Sequence, residues 1–257
     1  MTSLGFQVSS LKPFLTTPRD VLTTFHKLYD IGYRELQIQW ISPDVPDEFV
    51  LDALQETELA CVATQDYYHI VRDNFDRFIY MNKLWSSRYL TVSRIPREYM
   101  SGEGLKAFSR ELCRIADALR DNGIILTFHP VAADFAAVEG RNAVEWLLEY
   151  LPNDVQLTMC IYHVVKAGLN PLEMLERYRG RVDLVHFKDS VVLQDGSENL
   201  MPIGQGRIEW DQIFKACHET GVKWGFVEQE NWQKDAFVCA KESYDYVTSH
   251  GIVSLVK

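Results

Sequence analysis

The stretch Arg181-Val-Asp-Leu-Val-His186-Phe-Lys188-Asp189 reads as a short buried strand with chemistry at its exit. Val182, Leu184, Val185 and Phe187 are apolar, which suits a strand covered on both faces. His186, Lys188 and Asp189 then arrive together where the strand should stop. In a parallel α/β fold the reacting groups sit at the carboxyl ends of strands, so this exit is a candidate site. A strand leaving into a solvated loop is the plain alternative, and the rest of the chain decides between them.

Working outward, apolar runs of strand length recur at residues 4–8, 33–39, 59–64, 89–92, 124–128, 155–159, 182–187 and 223–227. Amphipathic stretches of helical spacing follow them at 17–31, 44–57, 74–85, 102–122, 142–150, 171–178, 210–220 and 234–249. In the longest, Leu105, Phe108, Leu112, Ile115 and Leu119 recur at three and four, and Gly123 closes it. Strict alternation of strand and helix predicts a parallel sheet. No Pro-, Ser- or Gly-rich linker divides the units, so the expectation is an α/β chain forming a single (β/α)8 TIM-barrel domain over residues 1–257. That length is ordinary for such a barrel, roughly 250 residues.

The formal net charge of -10 disfavours a phosphate-backbone binder, which needs a basic face. Small anionic substrates stay possible, because a few local cations suffice. The five Cys, at 61, 113, 160, 217 and 239, form no CxxC pair, and their odd number without a visible leader fits a reducing cytoplasm. No apolar run is long enough to span a membrane.

The last four strands end in or beside His129, Cys160, His186 and Glu228. Imidazole, thiolate and carboxylate are all competent ligands for divalent metals. Singly, each residue has an ordinary explanation: a lone Cys is usually a small core residue, and a lone His a satisfied polar group. Four at consecutive strand ends point to a shared site. His163 would stand close to the same mouth and bond a hydroxyl or carbonyl of a polyol, or be a loop residue with no role. Lys188 is a candidate contact to an anionic or hydroxyl group, and Asp189 a second-shell partner fixing the His186 tautomer; a surface ion pair is the alternative for both. Gln65 and Arg94, at the exits of the third and fourth strands, are further candidate substrate contacts. Gly204-Gln-Gly206 precedes a helix but lacks the third glycine of a dinucleotide loop, so its expected role is to let the chain pass close over a ligand.

Several strings resemble those of one family. They are Gly123-Ile-Ile-Leu-Thr-Phe-His129, Cys160-Ile-Tyr-His163-Val-Val-Lys-Ala-Gly168-Leu-Asn-Pro171, the opening stretch with Gly180 before it, Gly204-Gln-Gly206 and Val227-Glu228-Gln229. Looser agreement comes from Gly32-Tyr33 and Ile95-Pro96. Together the chain resembles the sugar phosphate isomerase/epimerase family of xylose isomerase-like barrels, which includes inosose dehydratases, ketose 3-epimerases and, more distantly, endonuclease IV. The resemblance implies a divalent ion (Mn, Mg, Co or Zn) between four strand ends, in the usual order Glu, Asp, His, Glu. Carried over, the positions are His129, Cys160, His186 and Glu228, of which two match.

Many members of the nearest branch read Y-H-N-H-x-x-E-F after the fifth strand. Here the chain reads Phe128-His129-Pro130-Val131-Ala132-Ala133-Asp134-Phe135, so the acid is Asp134, expected in a supporting shell. Cys160 stands where an Asp is usual and favours a softer metal such as zinc. Only Glu228 remains of the two Glu bases that ketose epimerases use, with His129 available as a ligand or second base. The resemblance thus implies a metal-dependent sugar isomerase or epimerase acting on a small sugar or keto-sugar. The alternatives are a keto-sugar or inosose lyase or dehydratase on the same site, and a non-catalytic sugar-binding relative with a degenerate metal site. A nucleic-acid partner is not expected, and exposed apolar helix faces could support a homo-oligomer.

Overall fold

The computed structural model describes residues 2–250 and 253–254. Eight strands run parallel: β1 (Thr2–Gln7), β2 (Glu35–Ile38), β3 (Ala60–Tyr67), β4 (Tyr89–Ser93), β5 (Ile125–His129), β6 (Gln156–Cys160), β7 (Val182–Phe187) and β8 (Trp224–Val227). Each pairs with the next, and β8 returns to pair with β1, closing the barrel. The helices outside it are α1 (Pro18–Ile31), α2 (Asp47–Glu56), α3 (Phe75–Leu84), α4 (Gly102–Arg120), α5 (Ala143–Tyr150), α6 (Pro171–Arg177), α7 (Trp210–Thr220) and α8 (Ala236–Ser249). The expected (β/α)8 barrel is therefore what the chain forms. Among the described residues no helix is long and apolar enough to cross a membrane.

Local chemistry explains the helices. Thr17 accepts from the Asp20 amide and Pro18 takes the first turn of α1; Ser101 accepts from the Gly104 amide at the start of α4. The apolar stripe of α4 is buried against the barrel through Leu105, Phe108, Leu112 and Leu119. Strand alternation sends Leu126 and Phe128, or Val185 and Phe187, outward to the helices and their neighbours inward.

The barrel interior is layered. Its lower part is apolar: Ala63, Tyr89, Leu184 and Phe226 pack together, and Gly5 leaves room for the Phe226 ring, which a Cβ there would meet at 2.6 Å. Above that floor the layer is polar, and its side chains carry the site described below.

Glu35 also faces the lower interior and is buried, and burial is what acts on its carboxyl. Burial raises its carboxyl from the ordinary 4.5 to about 7. A raised folded-state value means the fold favours the neutral acid. Below the unfolded value both states are protonated and nothing is lost; as pH rises through the folded value the fold must carry a buried charge. Glu35→Gln is therefore expected to stabilise the protein near pH ~8 by on the order of 1–2 kcal/mol, after discounting for water's reach to the carboxylate. That corresponds to roughly 2–8 °C in melting temperature, and near pH ~4 the gain should vanish. Melting curves at the two pH values check the sign.

Three departures from expectation bear on the site. β3 runs on to Tyr67, because Gln65, Asp66 and Tyr67 stay in register with Thr91, Val92 and Ser93 of β4. After β7 the chain does not enter an open loop but forms an antiparallel hairpin, Asp189–Val192 with Glu198–Met201, over the mouth. After β6 it turns at once into a short helix, Ile161–Lys166, which carries His163.

Candidate active site at the barrel mouth

His129 and Cys160 are the last residues of β5 and β6, His186 is the fifth of six in β7, and Glu228 follows β8 directly. Cys160 stands in register beside His186. The ligand atoms of His129, Cys160 and His186 lie within 4.8 Å of one another, and all three residues are buried. The His129 and His186 ring centroids are 4.7 Å apart.

Each imidazole is held by one nitrogen and bare at the other. Nδ1 of His129 is 3.2 Å from Ser93 Oγ, and its Nε2 has no partner. Nε2 of His186 is 2.6 Å from Gln37 Oε1, while Nδ1 lies 3.2 Å from Glu228 Oε2 without hydrogen-bond alignment. Two buried, unpartnered nitrogens beside a thiol and a carboxylate cost roughly 1–3 kcal/mol each unless a ligand satisfies them. The clustered donors are N, N and S, with the Glu228 carboxylate 3.2 Å from one of the imidazoles, and donors of these types fit a divalent ion of zinc's preferences.

Charge at the site is nearly balanced. Lys188 is buried with Nζ 3.4 Å from Glu228 Oε2 and 2.6 Å from Glu230 Oε2. Burial works against its ammonium, but the two carboxylates outweigh that and hold its pKa above the ordinary value. Burial would likewise raise Glu228, but the adjacent Lys188 ammonium leads the effects that outweigh it, and its carboxyl is held well below the usual range. Burial and the neighbouring Glu228 push Glu230 upward. Burial, then the nearby His186 and His163, pull His129 well down, so its imidazole is neutral.

A cavity of about 340 Å³ opens above these groups, lined among others by Gln65, Arg94, His129, His163, Lys188 and Glu228. His163 presents an unpartnered Nδ1, and burial followed by Lys188 takes its pKa down to about 3. Arg94 is exposed at the rim with its guanidinium 5.4 Å from the Tyr67 ring centroid. Across the mouth the hairpin contributes Leu200 and Glu198; Glu198 accepts from Tyr162 Oη at 2.8 Å and from Lys166 Nζ at 2.6 Å. A larger cavity of about 520 Å³ lies beside α2 and α3 and shares Gln39, Trp40 and Gln65 with the mouth, but no His or Cys lines it.

Two expectations need correction. Asp189 does not reach His186. Its Oδ2 accepts from the Gly204 and Gly206 amides, each at 3.1 Å, and from Trp210 Nε1 at 2.7 Å, so it anchors the segment leading into α7. Gly204 and Gly206 accordingly make room for protein, not for a ligand. A Cβ on Gly206 would meet Asp189 Oδ1 at 2.0 Å, and one on Gly204, at φ +84°, would meet the Tyr246 ring at 2.2 Å. Asp134 does support the mouth, but through the backbone: it accepts from Val131 N at 2.8 Å and Ile95 N at 3.2 Å, tying the exits of β4 and β5 together.

The residues that the sequence reading missed are amides and hydroxyls inside the barrel. Thr127 Oγ1 is 2.7 Å from both Thr91 Oγ1 and Thr158 Oγ1, and Gln37 Nε2 donates to Thr91 Oγ1 at 3.2 Å. A signal for the threonines was present. Leu90-Thr91-Val92, Leu126-Thr127-Phe128 and Leu157-Thr158-Met159 repeat one pattern on three consecutive strands.

A closed parallel barrel with histidines, a thiol and a carboxylate at its carboxyl mouth defines the class. The xylose isomerase-like TIM barrel family matches residues 5–243, and the chain belongs to that family. An inosose dehydratase from Lacticaseibacillus casei is 22% identical over 231 residues, covering 83% of this chain and 74% of that protein. A sugar phosphate isomerase/epimerase structure from Parabacteroides distasonis superposes with a TM-score of 0.81 at 20% identity, covering 98% of this chain and 96% of that one. The IOLI protein, solved with a bound zinc atom, superposes at a TM-score of 0.75 and 16% identity, covering 97% and 98%.

Proposed function

We propose that this chain is a metal-dependent carbohydrate isomerase or epimerase that moves a proton next to the carbonyl of a small keto-sugar or keto-cyclitol. The observation that carries this reading is the meeting of Glu228 with two buried, unpartnered imidazole nitrogens at the barrel mouth, where Glu228 and His129 line the cavity. His129 Nε2, Cys160, His186 Nδ1 and Glu228 are the groups that would hold the ion. Bound there, a divalent cation supplies Lewis-acid polarisation of a carbonyl or hydroxyl oxygen. The remaining work belongs to the chain. Glu228, kept ionised by the Lys188 ammonium beside it, is placed to take the proton from carbon. The Lys188 ammonium can donate to an oxygen that gains charge as the proton leaves, while Glu230 balances it from behind. Neutral His163 and Arg94 at the rim are placed to orient hydroxyls.

Dehydration is the second reading. Only one carboxylate stands at the four strand ends, so abstraction from both faces lacks its second Glu, and the curated relatives include inosose dehydratases. In that reading Glu228 takes the α-proton and a neighbouring donor protonates the departing hydroxide.

The test is solvent exchange. Protein loaded with zinc, cobalt or manganese is incubated in D2O with a panel of keto-sugars and inososes, and the products are followed by NMR and mass. Deuterium entering beside the carbonyl, and lost with chelator, is the expected result. A product lighter by one water would select the dehydratase reading. Tight sugar binding with neither exchange nor product under any metal would leave a non-catalytic sugar-binding protein.

A further inference from the structure

Four glutamines line the inside of the barrel, and their amides connect in one sense. Ser9 N–H donates to Gln7 Oε1 at 3.3 Å. Gln7 Nε2 then donates to Gln39 Oε1 at 3.5 Å, and Gln65 Nε2 donates to the same oxygen at 3.1 Å. Gln37 Nε2 donates to Gln65 Oε1 at 3.1 Å, leaving Gln37 Oε1 facing His186 Nε2 at 2.6 Å. All four side chains and His186 are buried, Gln7, Gln37 and His186 wholly so, while Gln39 and Gln65 border the mouth cavity.

The sense of such a chain is not free. An amide presents an acceptor on one arm and a donor on the other. The Ser9 backbone group can only donate, which fixes the oxygen of Gln7. That choice fixes the nitrogen toward Gln39, hence the oxygen of Gln39, the nitrogen of Gln65, the nitrogen of Gln37 and finally its oxygen toward His186. Reversing every amide would set two N–H donors against each other at Ser9 and leave both without an acceptor. The second proton on Gln37 Nε2 goes to Thr91 Oγ1, a hydroxyl that can accept or donate and so satisfies the inner end without setting its sense.

We infer that this glutamine chain holds His186 as the Nε2–H tautomer, so that Nδ1 presents its lone pair toward Cys160 and Glu228, and that Gln37 is the positioning residue that transmits the choice. The competing tautomer would donate from Nδ1 to Glu228. The observed 3.2 Å approach lacks the alignment for that bond, whereas the Gln37 contact has it. The consequence for ligand binding rests on the proposed metal site, but the tautomer itself does not.

The experiment uses full-length, metal-free protein labelled with 15N in histidine, at alkaline pH, with the His186 signals assigned from a His186→Gln spectrum. Long-range 1H–15N correlation should show the proton on Nε2. Gln37→Leu and Gln39→Leu should both shift the population toward Nδ1–H. The second variant breaks the chain without touching the imidazole. Gln37→Glu keeps an acceptor and should keep the wild-type tautomer, which guards against reading a folding defect as a lost chain. Titration with cobalt should weaken roughly 10–100-fold in Gln37→Leu. A wild-type protein with its proton on Nδ1, or a tautomer unmoved in both leucine variants, overturns the inference. Cobalt binding absent from every protein, with the tautomer as expected, would leave the chain standing and remove the metal reading instead.

Discussion

Replacing Glu228 with Gln is expected to reduce deuterium exchange by roughly 10²–10⁴-fold, the usual contribution of a positioned general base. The substitution keeps shape and one acceptor. Lys188 retains Glu230 at 2.6 Å, so no buried cation is left bare. The new amide can still donate toward His186 Nδ1, which lies 3.2 Å from the present carboxylate. The fold should therefore survive, with a melting point within a few degrees of wild type. Rate and melting curve measured together separate loss of chemistry from loss of structure. A variant that exchanges as fast as wild type would show that another group takes the proton.

Removing the lysine should do the reverse and damage the fold. Lys188→Met leaves the buried Glu228 and the half-buried Glu230 side by side with no cation between them. Deleting one partner of a buried ion pair commonly costs about 3–5 kcal/mol, because the surviving charge is stranded. For a chain of this size that is roughly 6–20 °C in melting temperature. Two carboxylates share the lysine here, so adding Glu230→Gln to Lys188→Met should recover a large part of the loss. Denaturant melts of wild type, Lys188→Met, Glu230→Gln and the double variant form the cycle. If Lys188→Met melts with wild type, the carboxylates are better hydrated than their burial implies.

The fold was legible because strand and helix periods alternate cleanly and because the links are short. The four candidate ligands were legible for a related reason: in a parallel barrel, position along a strand translates directly into depth. Asp189 was misread by trusting closeness in sequence. Three residues after His186 along an extended chain is the opposite face. There Asp189 meets Trp210 of α7 and the Gly204 and Gly206 amides, while Lys188, at an even offset, turns inward. The glutamine chain was hidden for a different reason. Its links join β1, β2, β3 and β7, and the last of them spans 149 residues. Amides carry no charge and no spacing rule that would announce such a partnership. Glu230 escaped notice because it lies beyond the end of β8, where nothing in the local pattern says its carboxylate turns back to Lys188.

The proposed chemistry requires the mouth cluster to bind a metal through Cys160. Metal-free protein titrated with cobalt answers this directly. The predicted result is one cobalt per chain with a thiolate-to-cobalt charge-transfer absorption, a band that disappears in Cys160→Ser and binding that is lost in His186→Ala. Cobalt that fails to bind, or binds with a spectrum unchanged by Cys160→Ser, would contradict it.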